Sequence, residues 1–138
     1  MGKVKVDWVK DMTFVGSDSN SHSVVLSTPG DGVGMKPSEL LLISLASCTA
    51  VDVVSILTKK RAKLTGLRVS VDAEQSDEGW PRPYTSFHIH FEMSGVALKP
   101  AEVEKAIKLS EEKYCSISAT LKPAGEVTFD FEVIEADL

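Results

Sequence analysis

Two thiols, Cys48 and Cys115, are the side chains of this 138-residue chain that can reduce a peroxide or attack an acyl group without a cofactor. A thiolate attacks a peroxide oxygen, and a second thiol within reach can close a disulfide on the product. Cys48 stands in an almost wholly apolar run from Leu40 to Val54, among the small residues Ala46, Ser47, Thr49 and Ala50. Cys115 follows the charged stretch Glu111-Glu112-Lys113-Tyr114 and precedes Ser116-Ile117-Ser118-Ala119-Thr120, where a short helix can begin. A thiol at a helix N-terminus beside Lys113 is expected to have a lowered pKa. The alternative for each cysteine is a small buried hydrophobe, a common fate of free cysteine. The two are too far apart for a CxxC redox motif or a zinc framework, so no metal site is expected and the chemistry depends on whether the fold brings them together.

The elements that must do so can be read from hydropathy. Val4, Val6 and Trp8 alternate with charged residues as a half-buried strand. Phe14-Val15 and Val24-Val25-Leu26 flank the turn-rich Gly16–Ser21 and predict a hairpin. A flexible loop from Pro29 to Gly34 leads to Pro37, a favourable first helical residue, with Glu39 at the positive helix end and Lys59-Lys60-Arg61 at the negative one. A helix from Pro37 to Lys60 would be about 36 Å long and apolar nearly all round, hence buried within the protein or an oligomer. Asp52 and four hydroxyl residues argue against a membrane span. Two strands follow, with Leu67, Val69, Val71 and Ala73 on one apolar face and Phe87, Ile89, Phe91 and Met93 on the other, joined through Gly79-Trp80-Pro81-Arg82-Pro83. A second helix starts at Pro100 with Val103, Ile107, Ser110 and Tyr114 on one stripe, and Lys122-Pro123-Ala124-Gly125 breaks it. Val127, Phe129, Phe131 and Val133 make a last strand. This order predicts an α+β domain over residues 1–138, with antiparallel strands.

Other chemistry finds less support. His88 and His90 point the same way from one strand, and without further ligands they read as a solvated face. Gly30, Gly32 and Gly34 lack the spacing and lysine of a phosphate loop, so no nucleotide cofactor is expected. A net charge of −5 and a pI near 5.2 exclude a basic face for nucleic acid or anionic membrane. With no apolar segment of signal type at the start, a cytoplasmic location is expected, where paired cysteines serve redox chemistry more often than permanent cross-linking. Helix geometry adds a constraint. Glu39 and Cys48 are nine positions apart, about half a rotation, so Glu39 can assist Cys48 only from a partner chain or across a kink. Asp52 shares a face with Cys48 at i, i+4 and is expected to pair with a cation or cap a buried polar contact.

The segments Lys36-Pro37-Ser38-Glu39-Leu40-Leu41-Leu42 and Ser47-Cys48-Thr49-Ala50-Val51-Asp52-Val53-Val54 resemble the central-helix motif of the OsmC/Ohr family of organic hydroperoxide-reducing proteins. Leu109-Ser110-Glu111-Glu112-Lys113-Tyr114-Cys115-Ser116-Ile117 resembles its second-cysteine motif, and Pro81-Arg82 and Gly95 also fit. The resemblance runs over essentially the whole chain. It implies an OsmC-like fold, with antiparallel sheets around a long buried central helix, in an intertwined homodimer. It implies that Cys48 is the peroxidatic thiolate and that Cys115 resolves it as a disulfide, which a small dithiol such as a lipoyl group then reduces. Well-characterised members hold the thiolate with an arginine from before the central helix and a glutamate directly after the motif proline. Here no arginine precedes Arg61 and Ser38 follows Pro37, with Glu39 one position later. This pattern resembles the YhfA-like subgroup, with Lys36 and Arg82 as candidate replacements for the arginine. A non-catalytic small-ligand-binding or redox-sensing role is the alternative.

Overall fold

The central helix α1 runs from Pro37 to Lys59. Its start follows from Pro37 and the acidic Glu39 in the first turn, and its stop from a left-handed residue, Arg61, at φ 60°. Two reverse hydrogen bonds close the end, Ala62 N–H to Leu57 C=O at 3.0 Å and Arg61 N–H to Thr58 C=O at 2.9 Å. This is the glycine-type helix stop built with an arginine. In this computed structural model, which describes residues 2–30 and 32–137, the chain divides into two compact units, Met1–Leu41 and Leu42–Leu138. Asp31 of the expected loop lies outside the described residues, as do Met1 and Leu138.

The first unit holds an antiparallel sheet in the order β1 (Lys5–Lys10), β2 (Thr13–Ser17), β3 (Ser23–Ser27). The expected hairpin is β2–β3, but Gly16 and Ser17 belong to its strand and pair with Val24 and Ser23. The reversal is instead made by Asp18, whose Oδ1 accepts the N–H groups of Asn20 at 2.8 Å and His22 at 2.9 Å. β1 departs from its half-buried expectation. All six of its residues are exposed, Val6 at 60% and Trp8 at 70%, at one edge of a three-stranded sheet that supplies no layer of its own to cover them.

The second unit is a three-stranded sheet, β4 (Lys63–Gln75), β5 (Tyr84–Val96) and β6 (Glu126–Glu135), with β5 central. The helices are α2 (Pro100–Leu109) and α3 (Ser116–Leu121), joined by a π-helical turn, Ser110–Tyr114. Period-two patterning becomes a register: Leu67, Val69, Val71 and Ala73 of β4 stand opposite Met93, Phe91, Ile89 and Phe87. On the other side of β5, Val127, Phe129, Phe131 and Val133 of β6 stand opposite the same four residues. Phe87, Ile89, Phe91 and Met93 are buried and share a core with Leu45, Val53 and Leu57 of α1 and Val103, Ala106 and Ile107 of α2. Each of these side chains other than Ala106 contributes about 1.5–3 kcal/mol by leaving water.

Two expectations need correction here, the direction of β6 and the place of Tyr114. β4 and β5 are antiparallel, but β6 runs parallel to β5, because residues 97–125 cross over the sheet instead of turning back in a hairpin. In α1 the row Leu45, Thr49, Val53 and Leu57 is buried, whereas Ile43, Val51 and Val54 are exposed. One chain covers one side of this helix. By length and apolarity α1 could span a bilayer, yet its buried row belongs to the core just described. Finally, Tyr114 leaves the predicted helical stripe and is 58% exposed. The wider π turn shifts the register, so that Ser110, Glu111 and Cys115 are the buried residues there.

Arg61 holds a conformation that costs a residue with a β-carbon about 1–2 kcal/mol, partly offset in glycine by greater unfolded-chain freedom. Replacement Arg61→Gly is expected to stabilise the protein by roughly 0.5–1 kcal/mol, read as a higher urea midpoint. An unchanged or lower midpoint would show that the arginine side chain stabilises this corner by other means.

Candidate functional site

The two thiols meet. Cys48 and Asp52 lie one turn apart in the half-buried row of α1, next to the buried row, while Cys115 arrives at the end of the π turn. The sulfurs of Cys48 and Cys115 and a carboxylate oxygen of Asp52 all lie within 4.8 Å of one another. Both cysteines are free thiols, Cys48 half-buried and Cys115 buried.

Local hydrogen bonds explain how Cys115 is held. Its N–H donates to the Ser110 carbonyl at 2.8 Å, the i to i+5 bond that closes the π turn. Cys115 then caps α3, with the Ser118 N–H donating to its Sγ at 3.3 Å. The Ser110 hydroxyl donates to Asp52 Oδ2 at 2.8 Å, so the Thr49 hydroxyl, 3.0 Å from Ser110 Oγ, is the donor in that second bond. Asp52 thus satisfies a buried polar group, one of the two roles expected of it. Next to Cys115, the Ser118 hydroxyl donates to Glu111 Oε2 at 2.8 Å, while Oε1 is buried without a hydrogen-bond partner among the described residues. Thr49, Glu111 and Ser118 escape a reading by residue type. Their signal is positional, a polar residue on the inward stripe of a helix.

Helix capping does not lower the Cys115 pKa as expected. Burial pushes it up to about 12, the nearness of Cys48 adds to this, and the Ser118 N–H only partly opposes them. Cys115 is therefore a neutral thiol at physiological pH.

Beside the pair lies a pocket of about 510 Å³ lined by Asp52, Ser55, Ile56, Lys59, Lys60, Leu109 and Tyr114. Its cations are Lys59 and Lys60, which the sequence presents as helix-end charges and not as site residues. Arg82 is engaged in its own loop, donating from Nε to the Ser76 carbonyl at 2.9 Å and stacking over Trp80 at 5.7 Å. Lys36 and Glu39 belong to the first unit, where Glu39 occupies the first turn of α1. His88 and His90 stand on the solvated face, as expected, and share a partner on β6. His88 Nε2 lies 2.8 Å and His90 Nδ1 2.9 Å from the same Asp130 oxygen. The Asp130 carboxylate raises the His90 pKa, and the histidines lower that of Asp130.

With this geometry established, likeness to known proteins becomes informative. Residues 30–130 match the family model described as OsmC-like protein. The chain belongs to the OsmC-like family. It is 35% identical to Protein YhfA of Escherichia coli (strain K12) over 97% of this chain and 99% of that protein. A hypothetical protein from Aquifex aeolicus VF5 has a similar structure, with a TM-score of 0.87 and 29% identity over 99% of this chain and 98% of that one. The organic hydroperoxide resistance protein OhrB of Bacillus subtilis shares the fold at a TM-score of 0.64 and 10% identity, over 96% and 98% of the two chains. Family membership makes the α+β arrangement that of a known fold, which the OhrB structure shares.

Because Cys48 helps to raise the Cys115 pKa, replacement Cys48→Ser is expected to bring that pKa down from about 12. Site-resolved alkylation of Cys115 across alkaline pH, followed by mass spectrometry, would then show its rate rising at lower pH in the variant than in the wild type. Coincident profiles would refute the coupling.

Proposed function

We propose that the protein is a thiol-dependent reductase of organic hydroperoxides that acts in oxidative-stress defence in the cytoplasm. The observation that carries this reading is the approach of Cys48 and Cys115, with both sulfurs free and within 4.8 Å. The Cys48 thiolate attacks the terminal peroxide oxygen, the O–O bond breaks, and the alkoxide leaves as an alcohol after taking a proton. Cys48 becomes a sulfenic acid. Cys115 then attacks that sulfur, a disulfide forms and water departs. A small dithiol, such as a lipoyl group, reduces the disulfide and is itself oxidised. The high pKa of Cys115 suits a thiol that waits: conversion of Cys48 removes a neighbour that helps keep Cys115 protonated. Apolar surroundings of Cys48, including the core it packs against, favour an alkyl hydroperoxide over hydrogen peroxide.

We read the whole chain as one OsmC-like domain that works as a homodimer. Ile43, Ala46, Ser47, Ala50 and Val54 of α1, with Leu67 and Val69 of β4, line an apolar groove of about 440 Å³. Its small helix residues allow a second helix to approach closely, and Val51 of α1 is 67% exposed in the single chain. A partner copy covering this side would accord with the dimers common in the family and would bring its Glu39 toward Cys48 in a supporting role.

Replacement Cys48→Ser is expected to abolish turnover of cumene hydroperoxide with a dithiol reductant. Cys115→Ser should leave one oxidation step per chain and no intramolecular disulfide. Thiol counting and mass spectrometry read both outcomes, and oxidation of Cys48 no faster than that of a free thiol would sink the proposal. In that event the pocket beside Asp52 favours the second reading, reversible binding of a small ligand, which would survive replacement of both cysteines. Sedimentation equilibrium should give twice the chain mass of 14.9 kDa; a monomer at micromolar concentration would refute the dimer.

A further inference from the structure

The thiol pair has a third donor that peroxide reduction does not use. Asp52 sits one helical turn from Cys48, with a carboxylate oxygen inside the same 4.8 Å triangle as the two sulfurs. We propose that Cys48, Asp52 and Cys115 form a binding site for one thiophilic divalent cation, zinc in particular. This goes beyond the peroxidase reading and does not depend on it.

Donor spacing is the first argument. Tetrahedral zinc with bonds of about 2.3 Å to sulfur and about 2.1 Å to oxygen needs donors roughly 3.6–3.8 Å apart. Three donors already within 4.8 Å reach that spacing by small side-chain rotations. Donor type is the second. Two thiolates with one carboxylate select a soft or borderline cation over magnesium or calcium, which take oxygen ligands. Preorganisation is the third. Ser110 holds Asp52 Oδ2 and is itself held by Thr49, while the Ser118 N–H donates to Cys115 Sγ. These are outer bonds of the kind that orient the ligands of metal sites.

Linear spacing conceals the site, since two donors lie one turn apart on α1 and the third comes from the end of the π turn. Three protein donors leave one tetrahedral position for water or an exogenous ligand. Asp52 also lines the pocket of about 510 Å³, so the site borders open space and suits exchangeable metal better than a sealed structural ion. Loading makes both sulfurs metal-bound thiolates around one cation. Both sulfurs then hold the metal and are withheld from oxidants, so the same residues would alternate between a metal-capped and a redox-active state.

The test uses the reduced full-length protein, titrated with zinc by calorimetry in buffers of different ionisation enthalpy and with cobalt(II) by absorption. We expect one ion per chain, net proton release on zinc binding, and a near-ultraviolet thiolate-to-cobalt band that either cysteine-to-serine replacement diminishes. The nearly isosteric Asp52→Asn keeps an acceptor for Ser110 and should bind zinc at least about tenfold more weakly, as loss of a ligand or its support does. Circular dichroism and urea midpoints establish that the variants are folded. Should one fail to fold, zinc protection of both thiols from alkylation in the wild type serves as the readout. No binding, no thiolate band, unprotected thiols, or a folded Asp52→Asn protein of undiminished affinity would overturn the proposal. None of these readouts involves peroxide, so failure of the metal site and failure of the peroxidase reading are separable.

Discussion

A short buried chain of hydrogen bonds, Thr49 to Ser110 to Asp52, fixes how the π turn meets α1. Its hydroxyls have no access to water, with Thr49 and Ser110 both fully buried. Removing one member would leave its neighbour unsatisfied, at a cost of about 1–3 kcal/mol. Such a requirement has direction as well as strength. A hydrophobic contact tolerates sliding, whereas the Ser110 hydroxyl must point at one carboxylate oxygen. The turn is thereby held in a single register, and the Cys115 N–H bonds back to the carbonyl of that same Ser110. Placement of the second thiol is thus inherited from a polar contact with no sulfur in it.

Burial then sets the character of each thiol. Cys115, enclosed and close to Cys48, favours the neutral form despite capping a helix and accepting an N–H bond. Desolvation outweighs that bond because one N–H to sulfur, a weak acceptor, replaces little of the hydration that the thiolate would lose. Cys48, half-buried in the row beside the core, keeps a path to solvent. Two thiols of one chemical type therefore differ in accessibility because they sit at different depths.

Much of this was legible in the sequence. Alternation gave the pairing faces of β4, β5 and β6, because those strands bury one side and expose the other. Pro37, Glu39 and the basic cluster after Leu57 bracket α1 for reasons of local electrostatics. Two features escaped. The direction of β6 depends on its connection rather than its own residues. The π turn is one extra residue in a helical pattern, invisible to a period of 3.6 until the chain is seen to bury Ser110, Glu111 and Cys115 and expose Tyr114. For α1, an all-round apolar helix says that both sides seek cover, within the protein or an oligomer, and one chain covers the row Leu45, Thr49, Val53 and Leu57. At the site, the two cysteines and Asp52 were legible from chemistry and spacing. Lys59 and Lys60 were not, since their reading as helix-end charges was sufficient in itself.

The parallel pairing of β6 with β5 bears on how the protein comes into being. A ladder of this kind forms only after the intervening chain has been laid across the sheet, and Cys115 rides on that chain. During synthesis Cys48 emerges well before it, on a helix that has yet to find its neighbours. The two sulfurs are strangers in the unfinished chain and become a couple only as the crossover docks. Whatever chemistry they perform therefore belongs to the completed molecule, and their pairing is a built-in signature of correct assembly.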